Sequence, residues 1–355
     1  DDYTKNLRKS WKDVRDALSG NDVAIEFVRY PDGDETYYAA LVLKKEFSSP
    51  EFVRLCKESD LSRYLKEDIN LIYSQGQTAS MLYSLTWGFL KDYLVDGCNV
   101  YVSPVGSLNW LGLESLPGSN GKPMSDTYGI HRVSTTKSIC TRRVRPVYSS
   151  AVIYGGLLYD MTDDDILFES INNINTIGKT SLTRGRALEK LKGATKRRWQ
   201  YLPGTKSEAM KIADLMRMHG MDVHLLDGKS GVEESFYALS GTSAQILHIA
   251  THGYNNPGND GGIPETGLIL SGANTVWLGG ALPAGMEDGI LSSSEIQMVD
   301  LHNVDIVVLS ACESGSGYTN GDEVFGLQRG FKQSGANTLI MTVAEVDDEA
   351  TSLMM

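Results

Sequence analysis

From Thr205 onward, short apolar runs alternate with stretches of helical spacing. No other feature restricts the fold as much. Strands that take turns with helices run parallel, and a parallel sheet must be covered on both faces. The pattern predicts helices over Ser207–His219, Ser292–Gln297 and Glu323–Ser334. It predicts strands over Asp222–Leu226, Gln245–Ala250, Leu268–Ser271, Val304–Ser310 and Thr338–Val343. Val304–Ser310 reads Val-Asp-Ile-Val-Val-Leu-Ser, apolar and β-branched enough to be buried on both sides. Ser230-Gly231-Val232-Glu233 has capping-box spacing and is expected to start a helix that runs to Leu239.

Upstream, Ala151-Val152-Ile153-Tyr154-Gly155-Gly156 has the form of a buried strand opening an α/β domain. It follows a charged stretch, Thr141-Arg142-Arg143-Val144-Arg145-Pro146, so a boundary is expected near Arg142–Ser150. The chain thus divides into residues 1–145 and 146–355. Before the boundary, two β-rich runs, Val23–Tyr30 and Thr36–Leu43, flank the turn cluster Pro31-Asp32-Gly33-Asp34 and predict a hairpin. Leu82–Leu94 has amphipathic helical spacing, and Asn99–Ser103 and Ile130–Ser134 read as strands. Leu157–Gln200 is polar, with a basic end at Lys190, Lys192, Lys196, Arg197 and Arg198. It is expected to be a mobile surface loop with some helix.

Apolar residues make up 41% of the 355 residues and charged residues 22%, as in a packed domain. The net charge of −12 argues against nonspecific binding of nucleic acid or an acidic membrane, and it permits a basic peptide as partner. No apolar run approaches the roughly 20 residues of a membrane span. The chain does not open with Met or a signal-peptide pattern, so a removed tag or a longer parent protein is expected. Cys56, Cys98, Cys140 and Cys312 are widely spaced, which speaks against a zinc ribbon, a redox pair or a disulfide framework. Reduced thiols in the cytoplasm are the expectation.

In open parallel sheets, ligands bind at the carboxyl ends of the strands. His252 follows one predicted strand in Ile249-Ala250-Thr251-His252-Gly253. Cys312 follows another in Leu309-Ser310-Ala311-Cys312-Glu313-Ser314-Gly315. If those strands are neighbours, an imidazole meets a thiol, and such a pair supplies the base that a cysteine nucleophile needs. On residue type and position alone, the commoner reading stays open: a small buried thiol and a hydrogen-bonded core histidine. His248 and His252 are four apart, yet on a strand they lack a third ligand, and Ile249 stands where a metalloprotease would carry glutamate. His248 is read as structural. No Gly-x-Ser-x-Gly elbow, phosphate loop or dinucleotide fingerprint occurs.

The segments His248-Ile249-Ala250-Thr251-His252-Gly253, Gly289-Ile290-Leu291-Ser292 and Leu309–Gly315 resemble the CHAT domain family, a caspase-like domain related to separase and often attached to tetratricopeptide repeats. Gly321-Asp322-Glu323, Gly326-Leu327, Gly335-Ala336-Asn337 and Val346-Asp347-Asp348-Glu349-Ala350-Thr351 match as well. Upstream, Ser10-Trp11-Lys12-Asp13-Val14, Ala24-Ile25-Glu26-Phe27, Val102-Ser103-Pro104 and Leu113-Glu114-Ser115-Leu116-Pro117 resemble the family's N-terminal portion.

The resemblance implies an α/β fold: a caspase-like three-layer sandwich with a mainly parallel sheet over 146–355, preceded by a pseudo-caspase lobe over 1–145. It implies a cysteine endopeptidase in which His252 is the general base, Cys312 the nucleophile, and the backbone N–H groups of Gly253 and Cys312 the oxyanion donors. No metal or organic cofactor is expected. In separase-like relatives, an acid in the segment of Asp347 and Asp348 faces a basic residue before the scissile bond, and alignment on Val346 favours Asp348. Ala344 departs from a family tryptophan that helps shape the substrate pocket, so specificity is open. The family normally continues beyond the position of Met355. The implied partners are a protein substrate and a regulatory protein or repeat domain, in a bacterial defence or cell-death setting, with no membrane or nucleic acid. The rival readings are a catalytically silent protein-binding module and a thiol acyltransferase. A self-cleavage site in the basic stretch Arg184–Arg198 is the sharper reading of that segment, and a solvated loop the plainer one.

Overall fold

The computed structural model describes residues 8–65, 72, 76–109, 111–141, 147–177, 198–256, 265–282, 284–313 and 323–341. The chain divides into two compact units, Asp1–Arg145 and Pro146–Met355.

The first unit holds helices α1 (Trp11–Ala17), α2 (Glu58–Leu65), α3 (Gly76–Leu85) and α4 (Met124–Thr127). Its strands are β1 (Val23–Asp32), β2 (Glu35–Lys44), β3 (Glu51–Lys57), β4 (Asn99–Ser103) and β5 (Gly129–Arg132). They form one mixed sheet in the order β3-β2-β1-β4-β5. The expected hairpin is present: Asp32 pairs with Glu35, and Gly33 takes φ 65° in the two-residue turn. The expected helix over Leu82–Leu94 is not. α3 ends at Leu85, and two 3₁₀ turns, Trp87–Phe89 and Lys91–Tyr93, follow. The Thr86 hydroxyl donates back to the Leu82 carbonyl at 2.7 Å. The fully buried Trp87 then turns its indole N–H to the Leu113 carbonyl, 2.9 Å away. Satisfying a buried indole outweighs continuing a helix.

The second unit is a seven-stranded, mainly parallel α/β sheet: a caspase-like fold. Its strands are β6 (Ser150–Leu157), β7 (Asp222–Gly228), β8 (Ile246–Asn256), β9 (Glu265–Ile269), β10 (Ile290–Ser292), β11 (Ile306–Glu313) and β12 (Thr338–Met341). β7, β6, β8, β11 and β12 lie side by side and parallel. One flank of β8 is shared by two partners. β6 pairs with it as far as Ile249, and the antiparallel β9 takes over at Gly253. β10 then pairs with β9.

The helices are α5 (Asp163–Ile177), α6 (Pro203–Met218), α7 (Glu233–Tyr237), α8 (Ala273–Trp277), α9 (Ser293–Ile296) and α10 (Glu323–Gln333). Strand alternation explains the layering. Leu247, Ile249, Val307 and Leu309 pack into one core with Phe236 of α7, Ile296 of α9 and Phe331 of α10. On the opposite face, Ile153 packs against Ala209 and Ala213 of α6. Both faces are therefore covered, as the parallel sheet requires.

Three further expectations change. Within Leu157–Gln200, α5 is a fifteen-residue helix with Asp163, Asp164 and Asp165 in its first turn, where negative charge is favoured; residues 178–197 lie outside the described residues. The Ser230–Glu233 capping box does not form, because Val232 is the N-cap and the Ser230 hydroxyl donates to the Asp227 carbonyl. Glu233 instead turns inward and accepts from the Tyr237 hydroxyl at 2.7 Å and the Gly289 N–H at 2.9 Å. A true capping box joins Ser292 and Glu295 at the start of α9. Finally, β8 and β11 run past Ala250 and Ser310, so His252 and Cys312 belong to the strands instead of following them.

Candidate active site

The ladder between β8 and β11 pairs Ala250 with Ser310, Thr251 with Ala311, His252 with Cys312, and Gly253 with Glu313. The two residues of interest are therefore direct neighbours across parallel strands. His252 also sits between the two partners of β8's other flank, after the last pairing with β6 and before the first with β9. Loops, not a strand, approach it there.

His252 is 5% exposed. Its Nε2 lies 2.7 Å from the carbonyl oxygen of Gln200. A carbonyl only accepts, so Nε2 carries the hydrogen and donates it. In the neutral ring the lone pair is then on Nδ1. Two aromatic rings lie against the imidazole, Tyr159 and Trp199, each with its centroid 5.2 Å away. Trp199 in turn packs on Trp277 at 5.0 Å. The Tyr159 hydroxyl is 2.9 Å from Thr251 Oγ1, and the Thr251 hydroxyl itself donates to the Ile269 carbonyl, so Tyr159 is the donor of that pair. The imidazole is thus held at Nε2 and bounded by rings, which restricts both its tautomer and its tilt.

Four residues earlier on β8, His248 is committed elsewhere. Its Nε2 donates to Glu208 Oε1 at 2.7 Å, and Ser310 Oγ donates to Glu208 Oε2 at 3.1 Å. His248, Glu208 and Ser310 are 3%, 1% and 5% exposed. This is the structural histidine expected from the sequence. Among the described residues, no group of three or more His, Cys, Asp or Glu side chains is arranged to hold a metal.

Gly253 lies in β8, opposite both Leu268 and Glu313. Asp347, Asp348 and Ala344 lie outside the described residues, as does most of the basic stretch. Arg198 is described and pairs with Asp160 at 2.7 Å. Of the other cysteines, Cys56 and Cys98 are buried free thiols and Cys140 a half-buried one. Burial pushes the Cys56 thiol up to about 12, which removes it as a nucleophile near neutral pH.

Reading the sequence missed Gln200, Tyr159, Trp199, Glu208 and Ser310. Gln200 contributes a backbone carbonyl, which carries no sequence signature. Glu208 did leave a signal. It stands four before Ile212, on the stripe of α6 that carries Ala209 and Ala213 against the sheet, and an acid there needs a buried partner.

Residues 76–355 match the CHAT domain family. The match covers well over half of the chain, which therefore belongs to that family. It begins after the Ser10–Val14 and Ala24–Phe27 segments and includes the sheet that carries His252 and Cys312. A peptidase-related, caspase-like domain is the class that fold and family define. No curated protein matches the chain. No described helix is long and apolar enough to cross a membrane.

Proposed function

We propose that the chain is a cysteine endopeptidase working through His252 and Cys312. The observation that carries this reading is the pairing of those two residues across β8 and β11. Paired residues on neighbouring strands are separated by about 4.8 Å at the backbone and share a face of the pleat. The donation of Nε2–H to Gln200 supports it further, because it assigns the basic lone pair to Nδ1.

In this reading, Nδ1 takes the proton from the Cys312 thiol. The thiolate attacks the substrate carbonyl carbon, and the oxyanion meets the N–H groups of Gly253 and Cys312. The C–N bond then breaks as the imidazolium gives its proton to the leaving amine, and an acyl-enzyme remains. Water, deprotonated by the same imidazole, hydrolyses the thioester and restores the thiol. Asp348 selects a basic residue before the bond, with Asp347 as the alternative acid. The first unit serves as a lobe without a dyad. Its sole histidine, His131, stacks on Tyr101 and bonds Asn99. Activity answers to an attached or partner module, so the resting chain is slow.

The test is cleavage of a mixed peptide library by the whole chain, Cys312→Ala and His252→Ala, read by mass spectrometry with and without candidate partner proteins. Cuts made by the wild type and absent from both variants are expected. A preference for a basic residue that disappears in Asp348→Ala would assign the pocket acid. A chain that never cuts, and whose Cys312 resists peptide-based thiol probes, would instead be a silent binding module. Transfer of the acyl group to an amine or alcohol in place of water would make it an acyltransferase.

A further inference from the structure

The Gln200 carbonyl and the rings of Tyr159 and Trp199 lie against the imidazole of His252. They come from two segments far apart in the chain, one after β6 and one before α6. A single side chain ties both segments together. Asn274, in α8, is 1% exposed. Its Oδ1 accepts the Trp199 N–H at 3.0 Å, and its Nδ2 donates to the Trp199 carbonyl at 3.0 Å. The same Nδ2 donates to Asp160 Oδ1 at 3.0 Å. Its backbone N–H donates to the Tyr159 carbonyl, also at 3.0 Å.

We propose that Asn274 is a positioning residue for His252, resting on the reading of His252 as the base. It does not touch the imidazole; it fixes what does. Pairing with both the N–H and the carbonyl of Trp199 locks the two peptide planes that flank that residue, and the Gln200 carbonyl lies one plane further on. The far side is anchored too. Thr205 Oγ1 donates to the Leu202 carbonyl at 2.7 Å and accepts the Gly156 N–H at 3.0 Å. Only Gln200 and Tyr201 lie between those anchors, so the carbonyl has little freedom to leave Nε2.

The chemistry requires an amide. One planar group must accept once and donate twice, and among side chains only Asn and Gln do so without charge. Asn is the shorter, and the site is closed. Aspartate at 274 would still accept from Trp199, but it would face the Trp199 carbonyl and the Asp160 carboxylate with no hydrogen to offer. The same oxygen of Asp160 is also held by Arg198, whose Nε and Nη2 both reach Oδ1. Arg198, Asp160, Asn274 and Trp199 thus form one chain of hydrogen bonds ending beside the base.

The experiment uses the full chain with ¹⁵N-labelled histidine, in which the His252 signals are identified by their loss in His252→Gln. The wild type should show a neutral His252 with hydrogen on Nε2 and slow exchange of that hydrogen. Asn274→Asp should show mixed tautomers and an Nε2–H that exchanges at least about tenfold faster. The double variant Asp160→Asn/Asn274→Asp removes the clash of two acids and returns one donor, so it should recover part of the wild-type tautomer bias. Where peptide cleavage is measurable, Asn274→Asp should lower kcat about 10- to 100-fold with KM little changed, as misorientation of a catalytic group does. Near-ultraviolet circular dichroism confirms that each variant is folded. A folded Asn274→Asp that keeps the Nε2–H tautomer and its slow exchange would overturn the assignment. If the tautomer shifts as expected while the wild type cuts nothing with or without partner proteins and Cys312 resists peptide-based thiol probes, the clamp stands and the peptidase reading falls.

Discussion

Replacing Glu208 by alanine should destabilise the second unit by about 3–5 kcal/mol, the cost of removing one member of a buried charged network. The magnitude follows from the partners. Glu208 is buried on α6 and accepts from His248 at 2.7 Å and Ser310 at 3.1 Å. Removing the carboxylate strands two buried donors, each at roughly 1–3 kcal/mol, and leaves a void beside them. Glu208→Gln keeps the volume and one acceptor, so about 1–2 kcal/mol is expected. Hydrogen exchange read by mass spectrometry localises the effect. Peptides covering β8 and β11 should exchange roughly 100- to 4,000-fold faster in Glu208→Ala, since each 1.4 kcal/mol is about tenfold. For a unit of this size, the melting temperature should fall by about 6–20 °C. The triple replacement Glu208→Leu, His248→Leu, Ser310→Ala should recover much of the loss, because no polar group is then left without a partner. A Glu208→Ala chain within about 0.5 kcal/mol of wild type would refute the reasoning, as would a loss of protection spread evenly over β1–β5.

Gly155→Ala places a Cβ 2.5 Å from the Thr205 carbonyl oxygen and 2.6 Å from Ala209 Cβ, so it should push α6 off β6, cost about 1–3 kcal/mol and loosen the Nε2–H of His252. Thermal melts and histidine NMR would read both effects together. Cys56 should resist iodoacetamide at pH 8 in the folded chain and react on unfolding, because burial raises its thiol to about 12; labelling at the rate of a free thiol would contradict this. Glu233 has its carboxyl raised well above the ordinary 4.5, by burial first and then by Glu295, Asp288 and Glu287. The folded state therefore holds this proton more tightly than the unfolded chain does, and the stability it lends is complete below pH 4.5 and lost as pH rises through the raised value. Glu233→Gln keeps an acceptor for Gly289, turns an N–H toward the Tyr237 oxygen, which then accepts instead of donating, and cannot ionise, so its melting temperature should exceed wild type near neutral pH and converge with it below pH 4.5. Parallel melting curves across that range would exclude the assignment.

What was legible in the sequence was whatever depends on periodicity and residue chemistry. Val304–Ser310 and Ala151–Gly156 announce buried strands because both faces are apolar, and His252 and Cys312 draw notice because few side chains do nucleophilic chemistry. Strand ends were not legible, because they depend on the neighbour. β8 extends to Asn256 only because β9 pairs with its second half. α5 was hidden for a similar reason: Leu167, Phe168 and Ile171 stay exposed while Ile166 and Ser170 are buried, so its apolar residues do not mark its packed face. The surroundings of His252 come from residues 93, 53 and 52 positions upstream, at Tyr159, Trp199 and Gln200, and one of them contributes only a carbonyl.

The shared flank of β8 gives the second unit a form of modularity. Its parallel neighbours, β6 and β11, set the alignment of His252 with Cys312, whereas β9 and β10 attach only from Gly253 onward. A change within β9 or β10 themselves leaves in place the ladder that pairs the two residues, whereas α8, which lies between those strands, carries Asn274. The sequence of β9 and β10 can therefore vary while the backbone pairing of His252 with Cys312 is kept.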